Sequence, residues 1–123
     1  MRVIIAGSRN YSNYQELVSF CDQVLSGTES IEIVSGTARG ADSMGEKYAN
    51  EREYKIARFP ADWNKYGKSA GYVRNKEMAD YADGLIAFWD GQSKGTLHMI
   101  NLAKERGLNI RIFNFISQEI VEI

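Results

Sequence analysis

The chain has 123 residues, 44% of them hydrophobic and 25% charged, with 11 Gly and a single Pro. These values place it among ordinary globular domains and exclude disordered, collagen-like and coiled-coil chains. One domain over residues 1–123 is expected, burying about 60 to 70% of its unfolded surface. Fifteen Lys and Arg against sixteen Asp and Glu leave a net charge of -1, so no overall basic field recruits duplex nucleic acid. Cys21 is the only cysteine and His98 the only histidine, which excludes an intrachain disulfide and leaves too few donors for a Cys/His zinc site. No apolar stretch reaches the roughly 18 residues of a membrane span, and the N-terminal run is too short for a secretory leader. A cytoplasmic protein with no membrane partner is expected.

Val3-Ile4-Ile5-Ala6, closed by Gly7, reads as a strand buried on both faces of a parallel sheet. Asn13 suits a helix cap, and Leu17, Val18, Cys21, Val24 and Leu25 then recur at helical spacing up to Gly27. Ile31 to Val34 forms a second strand, followed by a loop from Ser35 to Asp42 and a helix carrying Met44, Tyr48 and Ala49. A third strand runs from Lys55 to Phe59 and stops at Pro60, before an irregular polar and aromatic stretch reaching about Lys68. A helix from about Ser69, with Val73, Met78, Ala79 and Ala82, leads to a fourth strand, Leu85 to Trp89. The turn Asp90 to Thr96 opens a helix with Leu97, Ile100, Leu102 and Ala103, and Ile110 to Phe113 is a fifth strand. The tail from Ile116 to Ile123 reads as an edge strand or a partner contact. This alternation predicts an α/β fold: a single Rossmann-like open parallel sheet of about five strands, order 3-2-1-4-5, with helices on both faces.

In such sheets the ligand crevice lies beyond the carboxyl ends of the strands, where the order reverses, here between the first and fourth. Four loops meet there. The first is Gly7-Ser8-Arg9; the second runs from Gly36 through Thr37, Arg39 and Gly40 to Asp42. The third is Ala61-Asp62-Trp63, and the fourth runs from Asp90 through Ser93, Lys94 and Gly95 to Thr96. Glycine permits close backbone approach, and free amides at a helix N-terminus hold phosphate without a metal. Arg9, Arg39, Arg74 and Lys94 are candidate charge contacts. Trp63 is the first choice for stacking on a base, with Tyr66, Tyr72 and Trp89 at the same sheet end, and Asp42, Asp62 and Asp90 are candidate hydroxyl acceptors or general bases. The same residues also serve bland purposes: glycine in tight turns, Asp42 and Asp90 in capping and turn formation. Gly67-Lys68-Ser69 ends like a Walker motif, but Asp62 stands where its first glycine is required, so it is set aside.

Five ordered stretches carry a resemblance: Val3 to Arg9, Ile33 to Asp42, Pro60 to Trp63, Ala70 to Ala79 and Asp90 to Thr96. Together they resemble the YspA-like, YpsA-related branch of the SLOG superfamily, over nearly the whole chain from Arg2 to Phe113. That resemblance implies a Rossmann-like fold and a nucleotide or nucleotide-derived ligand. Relatives known as Lonely Guy phosphoribohydrolases use an arginine in an Arg-Lys-x-x-Met stretch and a glutamate three residues after a Gly-Thr pair. Arg74, with Lys76, Glu77 and Met78, is similar to the first element, Asn75 shifting the pattern; Gly95-Thr96 matches the second, but Met99 stands at the glutamate position. A thioether neither stabilises a ribosyl cation nor activates water. DprA proteins, another relative, hold single-stranded DNA at a similar sheet edge, which the acidic composition here disfavours.

The expectation is therefore a sensor or sequestering domain. Gly36, Thr37, Gly40, Gly95 and Thr96 cradle phosphate, Arg9, Arg39 and Arg74 neutralise it, and Gly7, Ser8, Ser35, Asn75 and Ser93 complete the lining. The alternatives are a nucleotide N-glycosidase using Arg74 with Asp62 or Asp90 and, more weakly, a single-stranded nucleic-acid binder. No protein metal site is expected, although Mg²⁺ could accompany a phosphate ligand, and a homo-oligomer is anticipated.

Overall fold

Residues 1–123 are described by a computed structural model. Six strands form one sheet in the order β3-β2-β1-β4-β5-β6. They are β1 (Arg2–Gly7), β2 (Glu32–Ser35), β3 (Lys55–Arg58), β4 (Gly84–Trp89), β5 (Asn109–Asn114) and β6 (Glu119–Glu122). The first five are parallel, in the predicted order. The tail adds β6 antiparallel to β5, with Phe113 opposite Ile120 and Arg111 opposite Glu122, so the sheet is mixed.

The apolar strands are continuous runs because both faces are covered. Side chains alternate across a strand: Val3 and Ile5 of β1 join a core with α1 (Tyr14–Leu25) and α2 (Ala41–Glu51), through Leu17, Phe20, Cys21, Tyr48 and Ala49. Ile4 and Ala6 enter the opposite core with α4 (Ala70–Tyr81) and α5 (Lys94–Glu105), through Met78, Ala79, Met99, Ile100 and Ala103. Each large side chain so removed from water contributes about 1.5–3 kcal/mol. The reversal from α1/α2 on one face to α4/α5 on the other places β1 beside β4 and opens the sheet's carboxyl edge between them.

The stretch after Pro60 departs from expectation. Asp62 accepts a hydrogen bond from the Lys65 amide (3.0 Å) and caps a one-turn helix, α3 (Trp63–Tyr66), and Gly67–Ser69 forms a 3-10 turn running into α4. Trp63 thus opens a helical turn instead of lying in an irregular loop. Phe59 lies outside β3, yet its amide still reaches the Ser35 carbonyl at 2.8 Å and prolongs the β2–β3 pairing. No helix is long and apolar enough to cross a membrane.

Candidate functional site

At the β1/β4 switch the carboxyl ends of the strands open into a two-lobed crevice. The larger lobe encloses about 730 Å³ and the smaller about 310 Å³. Arg9, Ala38, Arg39, Trp63 and Arg74 line both.

Backbone geometry shapes the floor. The Ser8 amide donates to the Phe88 carbonyl (2.9 Å), extending the β1–β4 ladder past Gly7, where a Cβ would fall 2.1 Å from that same carbonyl oxygen. Ser8 is buried, and its hydroxyl lies 3.0 Å from the Ser93 hydroxyl. Asp90 accepts from the Gln92 amide (2.8 Å), the Ser93 amide (2.7 Å) and the Ser93 hydroxyl (2.9 Å). Although partial burial opposes it, these donors hold the Asp90 carboxyl below the usual range. The turn so fixed starts α5, whose Lys94, Gly95 and Thr96 amides donate to no group of the chain.

On the other wall stands Arg74. Its Nη1 donates to the Gly36 carbonyl and its Nε to Asn75 Oδ1 (3.0 Å), while Nη2 is unbonded and the guanidinium forms no ion pair. Burial lowers its affinity for the proton, as does Arg9, whereas Asp42 raises it. Asn75 is buried and ties three elements together: besides Arg74 it reaches the Gly95 carbonyl (3.2 Å) and His98 Nδ1 (3.2 Å). With Asn75 donating, His98 accepts in its neutral form, and burial holds its pKa below the ordinary value. Asp42, in the first turn of α2, accepts from the Ala38 amide (3.2 Å) and is 5% exposed; burial pushes it up to about 6 against the pull of that amide and of Arg74.

Fourteen of the eighteen residues singled out from sequence border the crevice. The larger lobe takes Gly7, Ser8, Arg9, Arg39, Asp42, Trp63, Arg74, Asn75, Asp90, Ser93, Gly95 and Thr96, and Gly36 and Thr37 border the smaller. Four lie outside. The Ser35 hydroxyl donates to Glu46 (2.6 Å) and accepts from the Thr37 amide, and Gly40 packs against the Ser8 and Arg9 carbonyls. Asp62 caps α3, and Lys94 is exposed at the start of α5. Of the aromatic candidates, Trp63 and Tyr72 line the larger lobe; Tyr66 and Trp89 do not. Ala61 of the third loop borders the smaller lobe and Met78, which follows Arg74, the larger; Asn10 and Gly71 also line the larger lobe and Pro60 the smaller, without having been marked by any charge or glycine pattern. Met99 is 2% exposed and forms part of the apolar lining. No group of three or more His, Cys, Asp or Glu side chains is assembled for a metal.

Fold and crevice define an open-sheet α/β protein of Rossmann-like design. Residues 1–66 match the model of the YspA, cpYpsA-related SLOG family. The chain is also 35% identical over 121 residues to the Gene 61 protein of Mycobacterium phage D29, covering 93% of this chain and 95% of that one. It belongs to the YspA, cpYpsA-related SLOG family.

Proposed function

We propose that the chain binds a nucleotide or nucleotide-derived small molecule in the larger lobe and holds it unaltered, as a sensor or sequestering domain. The carrying observation is Arg74: a half-buried guanidinium without a carboxylate partner, one nitrogen free, facing the unbonded amides at the start of α5 across the same lobe. A desolvated cation beside free amides is complementary to phosphate. Trp63 and Tyr72 offer ring faces for a base, and Met78 and Met99 an apolar bed.

Retention is favoured over hydrolysis for two reasons. Met99 fills the position at which the related hydrolases carry glutamate, and Asp90, with its three donors and depressed pKa, suits turn-holding better than proton transfer. Mg²⁺, if it takes part, enters with the phosphate. Self-association belongs to the same proposal, supported by Ile116, Ile120, Val121 and Ile123, which stand exposed along the β6 edge.

Native mass spectrometry of the purified protein, alone and with a panel of nucleoside phosphates, reads ligand mass and stoichiometry together. An added mass equal to an intact nucleotide is expected. Release of base plus sugar phosphate would establish the hydrolase instead, and no bound nucleotide at all would end the proposal.

A further inference from the structure

The two lobes differ sharply in charge. Asp42 and Asp90 border the larger one, whereas no acidic residue borders the smaller, which Arg9, Arg39 and Arg74 all line. None of these three arginines forms an ion pair. Among the carboxylates on neighbouring elements, Glu46 is engaged by Arg58 (2.9 Å) and Ser35, and Asp62 by its own helix cap. Asp42, which is not part of this lobe's lining, acts on Arg9 and Arg74 without pairing with either, so the lobe stays net positive; Arg9 still disfavours the charge on Arg74, and an anion relieves that. The rim carries a second mark. Thr37, a β-branched residue, holds φ +64°, in the left-handed region that such side chains seldom occupy. Its amide is fixed there by Ser35 Oγ at 3.0 Å. At about 310 Å³ the lobe sits at the lower end of the range for small-molecule sites, enough for a phosphoryl group and its immediate attachment but not for a second complete ligand.

We infer that the smaller lobe is a second anion subsite of the same ligand, so that the molecule bound is a nucleotide carrying at least two phosphoryl groups, one at the start of α5 and one among Arg9, Arg39 and Arg74. This rests on the nucleotide reading of the larger lobe and narrows it. Arg74, common to both lobes, is the link between the two anions.

Ala61 borders the smaller lobe alone, so substitutions there separate the two subsites. The probes are the four ribonucleoside 5′-monophosphates, their 5′-diphosphates and their 3′,5′-bisphosphates, titrated calorimetrically into the wild-type chain, Ala61→Glu and Ala61→Leu, with circular dichroism confirming that each variant is folded. At least one two-phosphoryl ligand is expected to bind the wild type about tenfold or more tightly than its monophosphate, the gain of one added charge-assisted contact. Ala61→Glu should abolish that advantage through its negative charge and Ala61→Leu through its bulk, with monophosphate affinity held within about twofold of wild type in the uncharged Ala61→Leu. Equal binding of one- and two-phosphoryl ligands, or an advantage that survives both variants, overturns the second subsite while leaving the larger lobe's assignment standing. Absence of binding by every probe to the wild type overturns both.

Discussion

Arg74 reaches the crevice because Gly36 leaves room for it: a Cβ at position 36 would come within 2.7 Å of Nη1 and 2.8 Å of Asp42 Oδ2. Removing the guanidinium in Arg74→Ala forfeits charge-assisted hydrogen bonds of about 1.5–3 kcal/mol, so nucleotide affinity measured by calorimetry should fall about ten- to hundredfold. Gly36→Ala tests the seat instead of the charge. The added methyl group forces the guanidinium aside, and affinity should drop while the far-UV spectrum stays that of the wild type. Unchanged affinity in both variants would remove Arg74 from the site. At this scale the sequence was partly legible. Arg74 stands out by its neighbourhood, and Gly95-Thr96 by its turn chemistry. The burial of Asn75 does not stand out, since it sits between Arg74 and Lys76 in a polar run and its role depends on Gly95 and His98, which reach it only through the packing of α4 on α5.

Helices and strands approach closely where small residues allow it. Gly45 of α2 faces Ile5 of β1, and a Cβ there would lie 2.8 Å from Ile5 Cγ2. Gly45→Ala should therefore push α2 away from the sheet and cost about 1–3 kcal/mol in denaturant unfolding, in spite of alanine's better helix propensity. A neutral or stabilising result would mean that the α2–β1 contact yields without strain. The long elements are readable in the sequence because each has a physical cause there: two-sided burial makes the runs of β1 and β4 continuous, and one-sided burial makes α1 and α5 periodic. α3 and β6 lack such a cause. All four residues of α3 are exposed, leaving the Asp62 cap as its only local signal, and β6 is exposed throughout, so its register comes from pairing with β5 alone.

The molecule as a whole carries a charge of -1, yet its crevice gathers unpaired arginines around a buried acid, and this contrast governs how stability should vary with pH. Asp42 is pushed up by burial to about 6, and the groups facing it are Arg74 and Arg9, which favour its ionised form, and Glu46, which opposes it. An acid whose pKa is higher in the folded than in the unfolded chain makes the folded state bind more protons between those two values. Asp42 therefore contributes stability that is fully present below about pH 4 and is lost as the pH rises through about 6, by an amount on the order of 3 kcal/mol. Two other groups have the opposite sign. Asp90, lowered from 3.8, adds stability on raising the pH through the acid range, and His98, lowered from 6.5, adds it just below 6.5. The Asp42 contribution is isolated by difference. Asp42→Asn keeps an acceptor for the Ala38 amide and removes only the titration, so urea unfolding of wild type and variant from pH 4 to pH 7 should show the wild type losing stability relative to Asp42→Asn, the gap widening up to about pH 6 and then levelling. Parallel curves across that range would mean that Asp42 titrates alike in the folded and unfolded chains, and that the arginines around it offset its burial in full.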